Sequence, residues 1–404
     1  MKHTRRTFIR TSVASAAISV VASLASSRQL KARSAELQSK PWIELSAAAY
    51  LHNASQIARM AGGTPAVAVL KNNAYGLGEC EVGRILNRSP HVVAMAVVKD
   101  DAALAMRSAG VAKPLLLMGD FEPGLARDLI ARDVILSVFS KSSVDKIRTA
   151  ARRSPRPVKV ALYVDTGLGR MGIPHQQAED VARDIASVPN LRLVHTFSTL
   201  TTADDFAREQ IRRFDDVVAM LVRTGIGAGV QHLAPSSSLL ALPESHRQAV
   251  RPGILLHGSF PVAGMREAQT YPLRIPYRLK APVIRLEKLR AGDTIGFSRF
   301  YKVEADEWIA TLPIGWADGY DSRAENGAKV LLGGHLCPVV NVNASHVNVS
   351  LGPATRVEVG DVAVLCGPDR PELTPEGFGT LVKGHNYLQI NYKEAIVKRV
   401  HEEF

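Results

Sequence analysis

Val67-Ala68-Val69-Leu70, with Lys71 directly behind it, is the stretch on which the architecture turns. Four apolar residues, two of them β-branched, are too few for a helix and suit a strand buried on both faces. The same kind of run recurs at 92–98, 115–118, 134–139, 158–164, 191–197, 230–234 and 250–256, each bounded by Gly, Pro or Asp. Between the runs lie stretches with helical apolar spacing, such as 101–109, 176–186 and 204–223. Eight strand–helix units predict an α/β fold of the (β/α)8 TIM-barrel type, with an open doubly wound sheet as the competitor.

After about residue 277 the texture changes. Strand-like runs at 283–286, 307–312, 329–332, 338–342 and 362–366 follow one another without long helices, and Gly333-Gly334 and Gly367-Pro368 mark turns. The expected organisation is a barrel over 35–275 and an antiparallel β domain over 276–404. The early strand-like stretch 41–45 is a candidate to pair with the second domain.

The chain has 404 residues and a formal net charge of +12, which invites a nucleic-acid or membrane-surface reading. The location of the charge argues against it. Residues 1–33 hold Lys2, Arg5, Arg6, Arg10, Arg28, Lys31 and Arg33, and no acidic residue. A basic start, an apolar stretch at 13–24 and then small residues are the layout of an export signal, and the apolar stretch is too short to span a membrane. Thr4-Arg5-Arg6-Thr7-Phe8-Ile9-Arg10 resembles the twin-arginine signal, so 1–34 is expected to engage the export machinery and direct the protein to the periplasm. Removal of 25 or of 34 residues would leave +8 or +5, enough for solubility without a nucleic-acid partner. Cys80, Cys337 and Cys366 are too few and too scattered for a disulfide framework or a zinc site, and no metal is expected.

In a (β/α)8 barrel, reactive groups stand at the C-terminal ends of the strands. A lysine there can be desolvated, which lowers its pKa and makes the amine nucleophilic toward an aldehyde. Taken alone, Lys71 is a weak signal, because most lysines after strands are solvated ends. Its surroundings say more.

Lys71-Asn72-Asn73-Ala74-Tyr75-Gly76-Leu77-Gly78 resembles the lysine motif of the alanine racemase family, fold-type III pyridoxal-phosphate enzymes built from a barrel and a β domain. Four further resemblances follow in the same chain order: Asp165-Thr166-Gly167-Leu168-Gly169-Arg170-Met171-Gly172, Arg251-Pro252-Gly253-Ile254, Leu312-Pro313-Ile314-Gly315-Trp316-Ala317-Asp318-Gly319-Tyr320 and Ile390-Asn391-Tyr392. The resemblance implies pyridoxal 5'-phosphate held by Lys71, which also acts as a base. It implies phosphate contacts from Tyr75, Ser236, Gly253, Ile254 and Tyr392. Arg251 would face the pyridine nitrogen, and an arginine, which cannot give up its proton there, weakens the ring as an electron sink. Arg170 would support the cofactor and the substrate carboxylate, and His232 would back the second catalytic group. An amino acid as the small-molecule substrate and a homodimer with shared active sites are implied as well.

The substrate side departs from the family pattern. Within Thr294-Ile295-Gly296-Phe297-Ser298-Arg299-Phe300-Tyr301, Phe297 takes the place of the tyrosine that the partner subunit contributes as second base. Trp316 replaces a tyrosine, Thr199 a histidine and Tyr163 a lysine, while Ala344 lies in the shortened loop expected to hold the substrate carboxylate. The expected activity is an exported amino-acid racemase of altered specificity, whose second proton comes from Tyr301, Ser298, His346 or water. Alternatives are a reaction needing Lys71 alone (decarboxylation, lysis or one-sided epimerisation) and a non-catalytic binding protein.

Overall fold

The computed structural model describes residues 39–152, 154–201, 205–261, 265–266 and 271–404; the export signal read at 1–34 lies outside the described residues. Seven parallel strands follow one another in chain order: Ala66–Val69, Val92–Val97, Leu115–Leu117, Val134–Val138, Val158–Asp165, Leu191–Phe197 and Val230–His232. The eighth apolar run closes the ring. Ala249 bridges His232 and Val250 bridges Ala66. The Val67 N–H donates to the Val250 carbonyl at 2.8 Å, and the Arg251 N–H donates to Ala234 at 2.8 Å.

That eighth run is shorter than its apolar extent. Pro252 lacks an N–H and Gly253 favours a break, so Ile254–His257 winds into a 3-10 helix rather than extending the strand. Apolar texture cannot separate the two, because both halves of the run are buried.

The strands are apolar throughout because both of their faces are buried. Val67, Val69, Ala94, Ala96, Leu116, Ile135, Ala161, Tyr163 and Phe197 fill the barrel interior. Ala66, Ala68, Met95, Leu115 and Leu117 point outward into the core shared with the helices. Among these helices are Asp100–Ser108, Ala178–Ala186 and Asp205–Arg223, close to the periodic stretches. Ala47–Met60 and Lys141–Ala151 are helical without having stood out in the sequence.

Among the described residues, the second sheet has nine strands. From its free edge run Arg285–Leu289, Glu307–Leu312, Val347–Gly352, His335–Val342 and Lys329–Leu332. Val362–Cys366, Tyr277–Pro282, Trp42–Ser46 and Val397–His401 complete it. Trp42–Ser46 thus precedes the barrel in the chain and pairs antiparallel with Tyr277–Pro282. It pairs parallel with Val397–His401, an exception to an otherwise antiparallel sheet. A separate two-stranded hairpin, Thr294–Ile295 with Tyr301–Lys302, stands off this sheet and carries Phe297 at its turn.

Candidate active site at the barrel mouth

Directly after Leu70 the chain makes a turn of the wrong hand. Asn72, Asn73, Ala74 and Tyr75 all adopt left-handed conformations, with φ of 51°, 55°, 47° and 56°. Each such residue costs about 1–2 kcal/mol, and only asparagine visits the region readily among these types. Packing holds the turn in place. Ala74 is fully buried, and a β-carbon on Gly76 would stand 1.9 Å from the Gln389 carbonyl oxygen. The turn throws Lys71 and Tyr75 to the same side, and the Lys71 Nζ lies 5.8 Å from the centre of the Tyr75 ring.

These two residues line a cleft of about 550 Å³ with Arg170, Ser236, Arg251, Gly253 and Ile254. Seven residues expected at the site therefore meet at the C-terminal end of the barrel. The Gly253 N–H donates to Ser236 Oγ at 3.1 Å. A β-carbon at 253 would stand 2.2 Å from the Tyr75 hydroxyl oxygen, so the close approach of hydroxyl to backbone requires glycine. Hydroxyls of Tyr75 and Ser236 converging on a side-chain-free backbone form an anion cradle in chemistry and shape. Asp165 accepts from the N–H groups of Gly167 at 2.9 Å and Gly169 at 3.2 Å, folding the loop that presents Arg170 at the rim. Burial, then the positive charges of Arg170 and Arg251, push the Lys71 amine below the ordinary lysine range. That shift favours a neutral, nucleophilic amine.

Arg251 is 4% exposed, and both of its terminal nitrogens are hydrogen-bonded. Its Nη1 donates to His232 Nδ1 at 3.0 Å and to the His232 carbonyl at 3.1 Å. Its Nη2 donates to the Ser198 carbonyl at 2.6 Å and to Thr199 Oγ1 at 2.8 Å. The Thr199 hydroxyl lies 3.4 Å from the Tyr163 hydroxyl. Tyr163 stacks on Phe197, which stacks on His232. Burial pushes Arg251 down to about 10, which leaves it charged at neutral pH.

Several expected residues stand elsewhere. His232 is fully buried beneath Arg251 and does not line the cleft, so it can act only by positioning that arginine. Tyr392 turns its hydroxyl to Cys366 and lines the adjoining cleft instead of the one holding Ser236 and Gly253. Tyr387, which the sequence did not single out, takes the wall position, edge-on to Tyr75 at 6.3 Å. Phe297, Tyr301, Trp316 and Ala344 all lie on the β domain, away from Lys71 of their own chain. Tyr301 donates its hydroxyl to Glu307 Oε1 at 2.7 Å, and burial with that bond raises its pKa, which weighs against Tyr301 as proton donor. Trp316 packs its backbone on the Ala344 loop, and its N–H donates to the Asn343 carbonyl at 3.0 Å.

Residues 45–261 match the family description "Alanine racemase, N-terminal domain" and residues 277–401 match "Alanine racemase, C-terminal domain". The alanine racemase of Edwardsiella ictaluri is 33% identical over 328 residues, covering 79% of this chain and 87% of that protein. That of Clostridium tetani is 28% identical over 354 residues, covering 86% and 91%. Among solved structures, the alanine racemase of Bacillus anthracis with bound L-Ala-P superposes with a TM-score of 0.80 at 26% identity, covering 90% of this chain and 95% of that one. The Streptomyces coelicolor enzyme superposes at 0.81 and 26%, covering 89% and 97%.

Proposed function

This chain belongs to the alanine racemase family, and from that premise we propose that it is an exported, homodimeric amino-acid racemase with a rebuilt substrate pocket. The family's enzymes use pyridoxal 5'-phosphate, and the cleft fits that group. Lys71 offers a deprotonation-prone amine. Tyr75, Ser236 and Gly253, with no side chain intervening, offer an anion cradle, and Arg251 offers a fixed cation. The bound cofactor supplies a sink for electron density from the α-carbon of an amino acid.

The chain's own residues do the rest. Lys71 Nζ takes and returns a proton on the face of the substrate it sees, a task that burial and the nearby arginine charges favour by lowering its pKa. Arg170, at the rim, binds the substrate carboxylate. The four hydrogen bonds on Arg251 keep it from swinging away.

One observation carries the dimer and the altered pocket together. Phe297 is 100% exposed, Phe300 84% and Trp316 55% in a single chain. Exposed aromatic side chains such as these gain by being covered. A second copy would bring these aromatics over the open cleft and place Phe297, which has no exchangeable proton, where the family pattern has its second base. The opposite proton then comes from another group of the partner's β domain or from water. The basic, apolar and small-residue zones of 1–34 support export to the periplasm through the twin-arginine machinery.

Incubation with single amino acids in deuterium oxide tests the reading. Deuterium at the α-carbon of both enantiomers is the expected result. Exchange without inversion would replace racemisation by one-sided chemistry on Lys71, and no exchange with any amino acid would leave a binding protein.

A further inference from the structure

Beneath Arg251 lies a second histidine that the mechanism above does not use. His195 sits two residues before Phe197 on the strand Leu191–Phe197, on the same inward face, and is 6% exposed. Its Nδ1 is 3.2 Å from His232 Nε2, while His232 Nδ1 is 3.0 Å from Arg251 Nη1.

The order of atoms fixes the protons. An arginine only donates. His232 must therefore accept at Nδ1 and carry its proton on Nε2, and His195 must accept at Nδ1 and carry its own on Nε2. Phe197 lies nearly parallel to the His232 ring, 10° off at 5.1 Å, and resists its reorientation. The flanking strands set Ala161 and Val230 beside His195. The ionisable groups it meets are His232 and, beyond it, Arg251.

We propose that His195 is a positioning residue for Arg251, the last member of a tautomer latch that stays closed only while both imidazoles are neutral. A proton added at His195 Nδ1 would face the His232 Nε2–H, donor against donor. His232 could escape only by moving its proton to Nδ1, which faces the donor of Arg251. Either way a hydrogen bond in the column breaks, and Arg251 keeps its three bonds to the His232 carbonyl, the Ser198 carbonyl and Thr199 Oγ1 but loses part of its support from below. Burial holds His195 down at about 4, so the latch is closed at neutral pH and opens as the pH falls toward that value. The consequence for chemistry rests on the proposed reading of the cleft; the latch itself does not.

Nitrogen-15 NMR of the histidines and arginines in the full, cofactor-free protein reads the latch directly. At pH 7 both His195 and His232 are expected to carry their proton on Nε2, with the Arg251 side-chain protons protected from exchange. His195→Leu removes the acceptor and should speed exchange at Arg251 roughly tenfold, the scale of one lost charge-assisted hydrogen bond; His195→Gln, whose Oε1 can accept, should restore protection. In cofactor-loaded protein, the absorbance should show an acid limb in wild type that His195→Gln abolishes. A proton on His232 Nδ1 in wild type at pH 7, or equal Arg251 exchange in all three proteins, would overturn the proposal. If His195→Leu does not fold, the wild-type tautomers and the glutamine variant decide it. A protein showing the tautomers but taking up no pyridoxal phosphate would defeat the reading of the cleft and leave the latch standing.

Discussion

At the barrel mouth Arg251 is almost wholly buried, and its guanidinium meets four acceptors. At the tip of the 294–302 hairpin, Phe297 is wholly exposed and Phe300 nearly so. The first region hides charge and satisfies it; the second displays apolar surface with nothing over it. On the proposed reading, the residues that would hold the cofactor all come from one chain, whereas the substrate side would be completed by a second copy meeting the hairpin. Phe297, wholly exposed on the hairpin, leaves Tyr75, Ser236 and Gly253 untouched.

The contrast can be broken at either end. Lys71→Ala should cost the most, with loss of the visible band of lysine-bound cofactor and a fall in racemisation of at least roughly 10³-fold. Retained activity in that variant would detach the chemistry from the cleft altogether. Gly253→Ala forces a β-carbon onto the Tyr75 hydroxyl and should destabilise the fold by about 1–3 kcal/mol. Thermal unfolding checks the stability, and a cofactor titration should show weaker binding as Tyr75 and Ser236 are pushed apart. Phe297→Ser should act in the opposite sense on the two readouts. The stability of the single chain should change by less than about 0.5 kcal/mol, because the side chain touches solvent. Self-association, followed by sedimentation, should weaken by about tenfold or more. A loss of stability with association intact would show the hairpin to be part of the chain's own core.

Much of the barrel was legible because strands buried on both sides leave uninterrupted apolar runs, and seven of the eight reappear as strands. The eighth was legible only as burial: Ile254 to His257 are as buried as any strand, and Pro252-Gly253 decides their geometry. Strands without a buried face, such as Val397–His401, carry too weak a signal to stand out. In the site, Lys71, Tyr75 and Gly253 were found through motif resemblance, which preserves chain order. His195 was hidden inside an apolar run, where a lone histidine reads as core. Tyr392 and Tyr387 differ by five positions, and only the fold of Leu388–Asn391 tells which of them faces the cleft.

The left-handed turn at Asn72 to Tyr75 behaves as a wound spring. Ala74 and Tyr75 at about 1–2 kcal/mol each, with the two asparagines adding less, store a sizeable fraction of the 5–15 kcal/mol net stability of a typical domain. The barrel alone supplies only part of the grip. Gly76 rests on the Gln389 carbonyl and close to Tyr392, on a segment contributed from the far end of the chain. Lys71 is thus positioned with the help of a stretch more than 300 residues away, and the barrel should not set this turn by itself until that late segment has docked. Grafting this barrel onto another β domain would transplant the strands intact and let the spring unwind.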